Sequence, residues 1–125
     1  MKIKKEDIPV MMQAPGTILR NLPGYGGMTV AFNELPAGTD LTPFLVGLEN
    51  NSCHCPHWGY LVQGTMRMKY DDGTEEVVTA GDVFYFPAGH TGIVEEDVKL
   101  IDFNPTKEFG EVMDHIAKKM AELSA

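Results

Sequence analysis

Basic residues are few and scattered: 10 Lys and Arg stand against 18 Asp and Glu, a formal net charge of −8. Apart from Lys2 to Lys5 they form no run, so the chain lacks the surface that phosphate neutralisation needs, and nucleic acid is not expected as a partner. Those first lysines are followed by Glu6-Asp7-Ile8-Pro9 and not by an apolar stretch, so a signal peptide is not expected. No apolar run approaches the ~20 residues of a membrane span. The expectation is a cytoplasmic protein with no membrane partner. There are only two cysteines, Cys53 and Cys55, too few for a disulfide framework. On an extended strand their Cα atoms would lie roughly 6.6 Å apart with parallel side chains, near the upper limit for a disulfide. Also missing are a Ser-His-Asp arrangement, a phosphate-binding loop and a paired-carboxylate signature. Without linker, repeat or low-complexity segment, residues 1–125 read as one domain. A chain of this length buries about two-thirds of its unfolded surface. That is enough for stability without a structural metal, so any metal would serve function.

What the chain does contain is a series of short apolar runs punctuated by Gly, Pro, Asn and Asp, the signature of many short strands. Strands are expected at Thr17–Leu22, Met28–Leu35, Thr42–Leu48, His57–Val62, Met66–Tyr70, Glu75–Thr79, Asp82–Phe86 and Val98–Phe103. Asp71-Asp72-Gly73-Thr74 is a hairpin signal between two of them. In Met66–Tyr70 the apolar Met66, Met68 and Tyr70 alternate with Thr65, Arg67 and Lys69, so one face is dry and Arg67 is a solvated charge. In His57–Val62 neither face looks wet: Trp58, Tyr60 and Val62 oppose His57, Gly59 and Leu61, and the strand is expected between two layers. At the C-terminus Phe109, Val112, Met113, Ile116, Ala117, Met120 and Leu123 recur at helical spacing, with Thr106 as a candidate cap.

The chemistry-bearing residues gather in Cys53-His54-Cys55-Pro56-His57, which holds both cysteines and two of the four histidines. Cys53, Cys55 and His57 stand at i, i+2 and i+4 and would share one face if the segment is extended, although Pro56 interrupts regular pairing there. Thiolate and imidazole donors suit zinc, iron, copper or nickel better than magnesium or calcium. The same residues also read as small buried hydrophobes and a core histidine. His54 has the opposite parity and His115 sits on the helix beside Asp114, so neither joins the site.

Gly81-Asp82-Val83-Phe84-Tyr85-Phe86-Pro87-Ala88-Gly89 matches a motif of Gly, five residues, Pro, one residue, Gly, and Gly64 closes an earlier, partial motif. With the strand series and the terminal helix, the chain resembles a small single-domain cupin. The resemblance implies an all-β jelly-roll barrel, a double-stranded β-helix, with its core at about 17–104 and a C-terminal amphipathic α-helix at about 106–123. It does not carry over the usual ligands: His57 falls on the Glu position of the first motif, Cys53 and Asn51 on its two His positions, and Gly92 on the His position of the second. His90, two residues early, could swing inward and bring the donors to four, namely Cys53, Cys55, His57 and His90. Gly59, Leu61, Met66, Met68 and Tyr85 are the expected lining of the barrel interior.

Two functions fit. One is a small-molecule-binding cupin with a transition metal at the Cys/His residues, acting as Lewis acid or binding dioxygen at an open position. The other is a metal-free binding or sensing module, or a dimeric scaffold, that takes up an apolar or acidic metabolite without turnover. A redox pair at Cys53 and Cys55 would need a low thiol pKa, which the acidic balance disfavours. The strand around Trp58 and the apolar helix stripe point to a homodimer.

Overall fold

In a computed structural model, which describes residues 1–124, the chain forms β1 (Val10–Ala14), β2 (Thr17–Tyr25), β3 (Met28–Leu35), α1 (Thr42–Leu45), β4 (His57–Tyr70), β5 (Glu75–Thr79), β6 (Val83–Phe86), β7 (His90–Pro105) and α2 (Thr106–Leu123). The strands pair antiparallel in the order β1-β2-β3-β7-β4-β5, and β6 also pairs with β4. β4 and β7 form the spine. His57–Leu61 lies against the second half of β7, whereas Thr65–Tyr70 lies against its first half. β6 and β5 flank the two ends of β4 on its other edge.

The strands bend where the register shifts around Gly64. Gly64 has φ +90°, and a Cβ there would run into the backbone oxygen of Asp97, so only glycine fits this bulge. It explains why two expected strands, His57–Val62 and Met66–Tyr70, are one strand bent in the middle.

The apolar side chains separate into two packed groups. Leu61, Met66, Met68, Val78, Phe84, Phe86, Val94, Val98 and Leu100 fill the barrel. Ala31, Leu45, Cys53, Cys55, Phe109 and Val112 pack between the barrel mouth and the helices. No helix among the described residues is long and apolar enough to cross a membrane.

Several expectations need correction. Thr42–Leu48 is not a strand: Asp40 Oδ1 accepts the Thr42 N–H at 2.9 Å and Pro43 opens the single turn of α1. β1 and residues 90–97 of β7 lie outside the expected strands, the latter because Glu95, Glu96 and Asp97 read as turn residues. Thr106 does not cap α2; its hydroxyl pairs with that of Thr29 at 2.8 Å, and Pro105 takes the cap position. His115 is half-buried and donates Nε2–H to the Val46 carbonyl at 2.8 Å, tying α2 to the end of α1.

Candidate metal centre

The centre forms where two distant segments meet at the barrel mouth. Cys53 and His90 make an isolated antiparallel bridge: Cys53 N–H donates to His90 O and Gly89 N–H donates to Cys53 O, both at 2.8 Å. The pairing sets their side chains next to each other. His57 opens β4 four residues later and pairs with Phe86. One donor atom from each of Cys53, His57 and His90 lies within 4.8 Å of the other two.

Hydrogen bonds fix both imidazoles. His90 donates Nδ1–H to the Pro87 carbonyl at 2.7 Å, and His57 donates Nδ1–H to Asn104 Oδ1. Each ring therefore keeps its Nε2 lone pair free for the cluster, as outer-sphere partners do for ligating histidines. Asn104 is itself held: Nδ2 donates to Asp102 Oδ1 at 2.7 Å and to the Thr29 carbonyl at 3.3 Å. Asp102, Asn104 and His57 thus form a buried chain. Cys53 Sγ lies 3.6 Å from His57 Nε2. Around a tetrahedral zinc with bonds of about 2.3 Å to sulfur and about 2.0–2.1 Å to nitrogen, that edge would be about 3.6 Å. The donor set fits a soft first-row ion.

Burial sets the protonation states. It lowers His57, and together with the neighbouring His57 it lowers His90 to about 4, so both rings are neutral at neutral pH and ready to ligate. Burial raises Cys53 to about 11 and Cys55 further, the opposite of the depressed thiol that a redox pair requires. Cys53 would ligate only when an ion displaces its proton.

Cys55 is the expected ligand that the structure leaves out. The chain bends at Cys55 and Pro56, so the parity that should align it with Cys53 is broken. Cys55 is completely buried among Ala31, Leu45, Phe109 and Val112, with its thiol toward the Pro56 carbonyl at 3.5 Å. His54 points toward α2, where its Nε2 is 3.7 Å from Glu111. Gly92 is shut off by Met68, whose sulfur would sit 2.8 Å from an added Cβ.

Beside the trio lies a cavity of about 660 Å³, roofed by α2 and walled by β2, β3, α1 and the inner faces of β4 and β7. Met66 and Met68 line it. Gly59 and Leu61 are buried in the barrel but do not reach it: Phe84 lies so close over Gly59 that no Cβ fits, and Leu61 packs fully within the core. Tyr85 has the wrong parity. It pairs with Trp58 across β6 and β4, and both rings stand outside, 44% and 59% exposed, at a centroid separation of 4.9 Å. Asp102 and Asn104 were missing from the expected site, although Leu100, Asp102 and Asn104 alternate with Ile101 and Phe103. A carboxylate on the inward parity of an apolar strand is the signal that would have found them.

Bent spine strands, an interior cavity and a Cys/His cluster at the mouth define a small barrel of the cupin type. The solved structures agree on the fold. An RmlC-like cupin from Shewanella frigidimarina superposes with a TM-score of 0.59 at 19% identity, covering 82% of this chain and 88% of the other. HppE with Fe(II) gives 0.58 at 10% identity over 83% of this chain and 59% of its own. Bacillus subtilis oxalate decarboxylase, a protein with Mn(II) centres, gives 0.59 at 18% identity over 80% and 28%. No family profile and no curated protein matches the chain in sequence. The likeness is one of fold, and the site must be argued from its own residues.

Proposed function

We propose that this protein is a metal-dependent small-molecule-binding cupin whose ion is held by Cys53, His57 and His90. The observation that carries the reading is the convergence of three donor atoms within 4.8 Å, with both histidine tautomers fixed by other groups. Neighbours of the same fold that hold Fe(II) or Mn(II) support it. Sulfur with two nitrogens favours zinc, iron, nickel or copper. Three protein ligands leave a position open to the cavity. When bound, the ion supplies Lewis-acid polarisation of a ligand oxygen. The chain does the rest: His57 and His90 offer neutral Nε2, Asn104 orients His57, and the apolar cavity keeps water away. The test is elemental analysis of untagged protein purified without chelators, with about one transition-metal ion per chain expected and background content in His57→Ala. Protein without metal that also takes up no zinc, iron(II), nickel or copper on titration overturns the reading.

A metal-free binding module is the second reading. The Cys53 thiol within hydrogen-bonding reach of His57 Nε2 favours it, since the cluster is then satisfied without an ion. We further propose that two copies pair through the outer face of β4, β6 and β7. Trp58, Tyr60, Val62, Val83, Tyr85 and Phe103 are all more than 40% exposed there. These six side chains present on the order of 600 Å², comparable to the roughly 800 Å² per partner of a standard interface. The segment around Lys5 and Ile8 covers Phe32 farther along the sheet but leaves these six open. Light scattering of wild type and Tyr60→Glu tests it: a wild-type monomer at micromolar concentration sinks the pairing. The free thiols are in keeping with a reducing compartment, the cytoplasm.

A further inference from the structure

The wall of the cavity carries no lysine or arginine among the described residues. Its acids are Asp40, exposed at the rim, and Asp102 at depth, 5% exposed. Asp102 faces Gly59 and Ala31 across its two neighbouring strands, gives Oδ1 to Asn104, and has no ion-pair partner among the described residues. Burial raises it to about 7. Charge is then easily counted. A divalent ion at Cys53, His57 and His90 brings two positive charges, which the Cys53 thiolate and the Asp102 carboxylate balance, so the loaded cavity is neutral. The empty cavity is neutral or negative.

We propose that the cavity selects an uncharged, largely apolar molecule whose single hydroxyl group meets Asp102, and that it rejects the corresponding carboxylate. This rests on the small-molecule-binding reading above and names its ligand class. An ionised Asp102 accepts from such a hydroxyl and a protonated one donates to it, so either state anchors the group. In the metal-free cavity a carboxylate would lose its hydration with no lysine or arginine to compensate and would face Asp102 at low dielectric. Leu, Met, Phe and Ile side chains make up much of the wall, with uncharged Thr and Asn side chains among them, and about 660 Å³ suits a molecule of one or two rings.

The pair 1-naphthol and 1-naphthoate differs mainly in this charge and can be titrated calorimetrically at neutral pH into zinc-loaded and metal-free protein. Naphthol is expected to bind at least tenfold tighter, about 1.4 kcal/mol, to the metal-free form, and zinc, whose open position can take a carboxylate oxygen, is expected to narrow that preference. Asp102→Asn should reduce that preference at least fivefold. Met113→Lys, which adds a cation to the α2 side of the wall, should raise naphthoate affinity and keeps the test alive if the Asp102 variant fails to fold. Naphthoate binding as tightly as naphthol, or neither binding at about 1 mM, overturns the proposal. An unchanged preference in a folded Asp102→Asn removes Asp102 from it. Failure to take up zinc counts against the metal alone, because the metal-free comparison still decides the charge preference.

Discussion

The two faces of β4 are built from similar residues and have opposite fates. Inward, Gly59 and Leu61 are sealed under Phe84 and within the barrel core, and His57 is fixed by Asn104. Outward, Trp58, Tyr60 and Val62 are exposed although each is as apolar as its neighbours. Hydrophobicity places neither set by itself; what matters is whether another layer covers the face. Inside, side chains of the barrel core close over the strand, and the room is so tight that a glycine is required where the Phe84 ring crosses. Outside, the neighbouring strands β6 and β7 extend the apolar surface sideways, Tyr85 and Phe103 beside Trp58 and Val83 beside Tyr60, and nothing among the described residues closes over it. The contrast is the reason the proposed metal centre is assigned to the inner face and the proposed pairing of two copies to the outer one.

Substitutions on the inner face should have the larger effects. Gly59→Val is expected to cost more than about 4 kcal/mol and to leave little folded protein, because its side chain meets the Phe84 ring and the Ile101 carbonyl. A soluble variant with a near-wild-type melting curve would show that the inner face is looser than drawn. Leu61→Ala should cost about 2–5 kcal/mol by urea unfolding.

The buried acid and imidazoles can be separated by pH in metal-free protein. An unfolded histidine titrates near 6.5, whereas His90 in the fold is held at about 4. As pH falls between these values the unfolded chain takes the proton first, and about 3 kcal/mol of stability is lost. Asp102 runs the other way, raised to about 7 from 3.8, so its contribution is complete below 3.8 and is lost as pH rises through 7. His57, which burial also lowers, adds to the histidine slope, so wild-type stability should still fall on acidification from about pH 6.5 to 4, with Asp102 offsetting part of the loss. Asp102→Asn keeps only the slope of the two histidines and should lose more than wild type over that window, at least the ~3 kcal/mol of His90. Parallel pH profiles for the two proteins would refute the assignment. At the small end, Val62→Ala on the outer face should change intrachain stability by no more than about 0.5 kcal/mol; a cost equal to that of Leu61→Ala would erase the distinction between the faces.

Much of this was legible along the chain. The bounds of β3, β5 and α2 coincide with the expected ones, since each rests on a local period and a clear end: the Asp-Asp-Gly-Thr turn before β5, Pro105 before α2. The glycine-rich motif through Gly89 found β6 and the entry of His90. Other elements were hidden because their signals are non-local. Glu95, Glu96 and Asp97 look like a turn, yet Glu96 pairs with Thr65 next to the Gly64 bulge and Asp97 accepts the Ala37 N–H at 2.8 Å. Cys53 and Cys55 share a parity in the sequence and pack in the same apolar cluster, yet the bend at Cys55 leaves only Cys53 beside His57 and His90.

By itself the sequence determined the β-rich barrel, its terminal helix, the acidic balance and the short segment that holds Cys53 and His57, two of the three candidate metal donors, because each follows from periodicity, turn chemistry or composition. Only the tertiary structure decided that Cys53 and not Cys55 joins His57 and His90, that Asp102 and Asn104 stand behind them, and that the Trp58 face is left uncovered. These outcomes depend on residues far apart in the chain being brought together by strand pairing, above all the Cys53–His90 bridge, and no local period records such contacts.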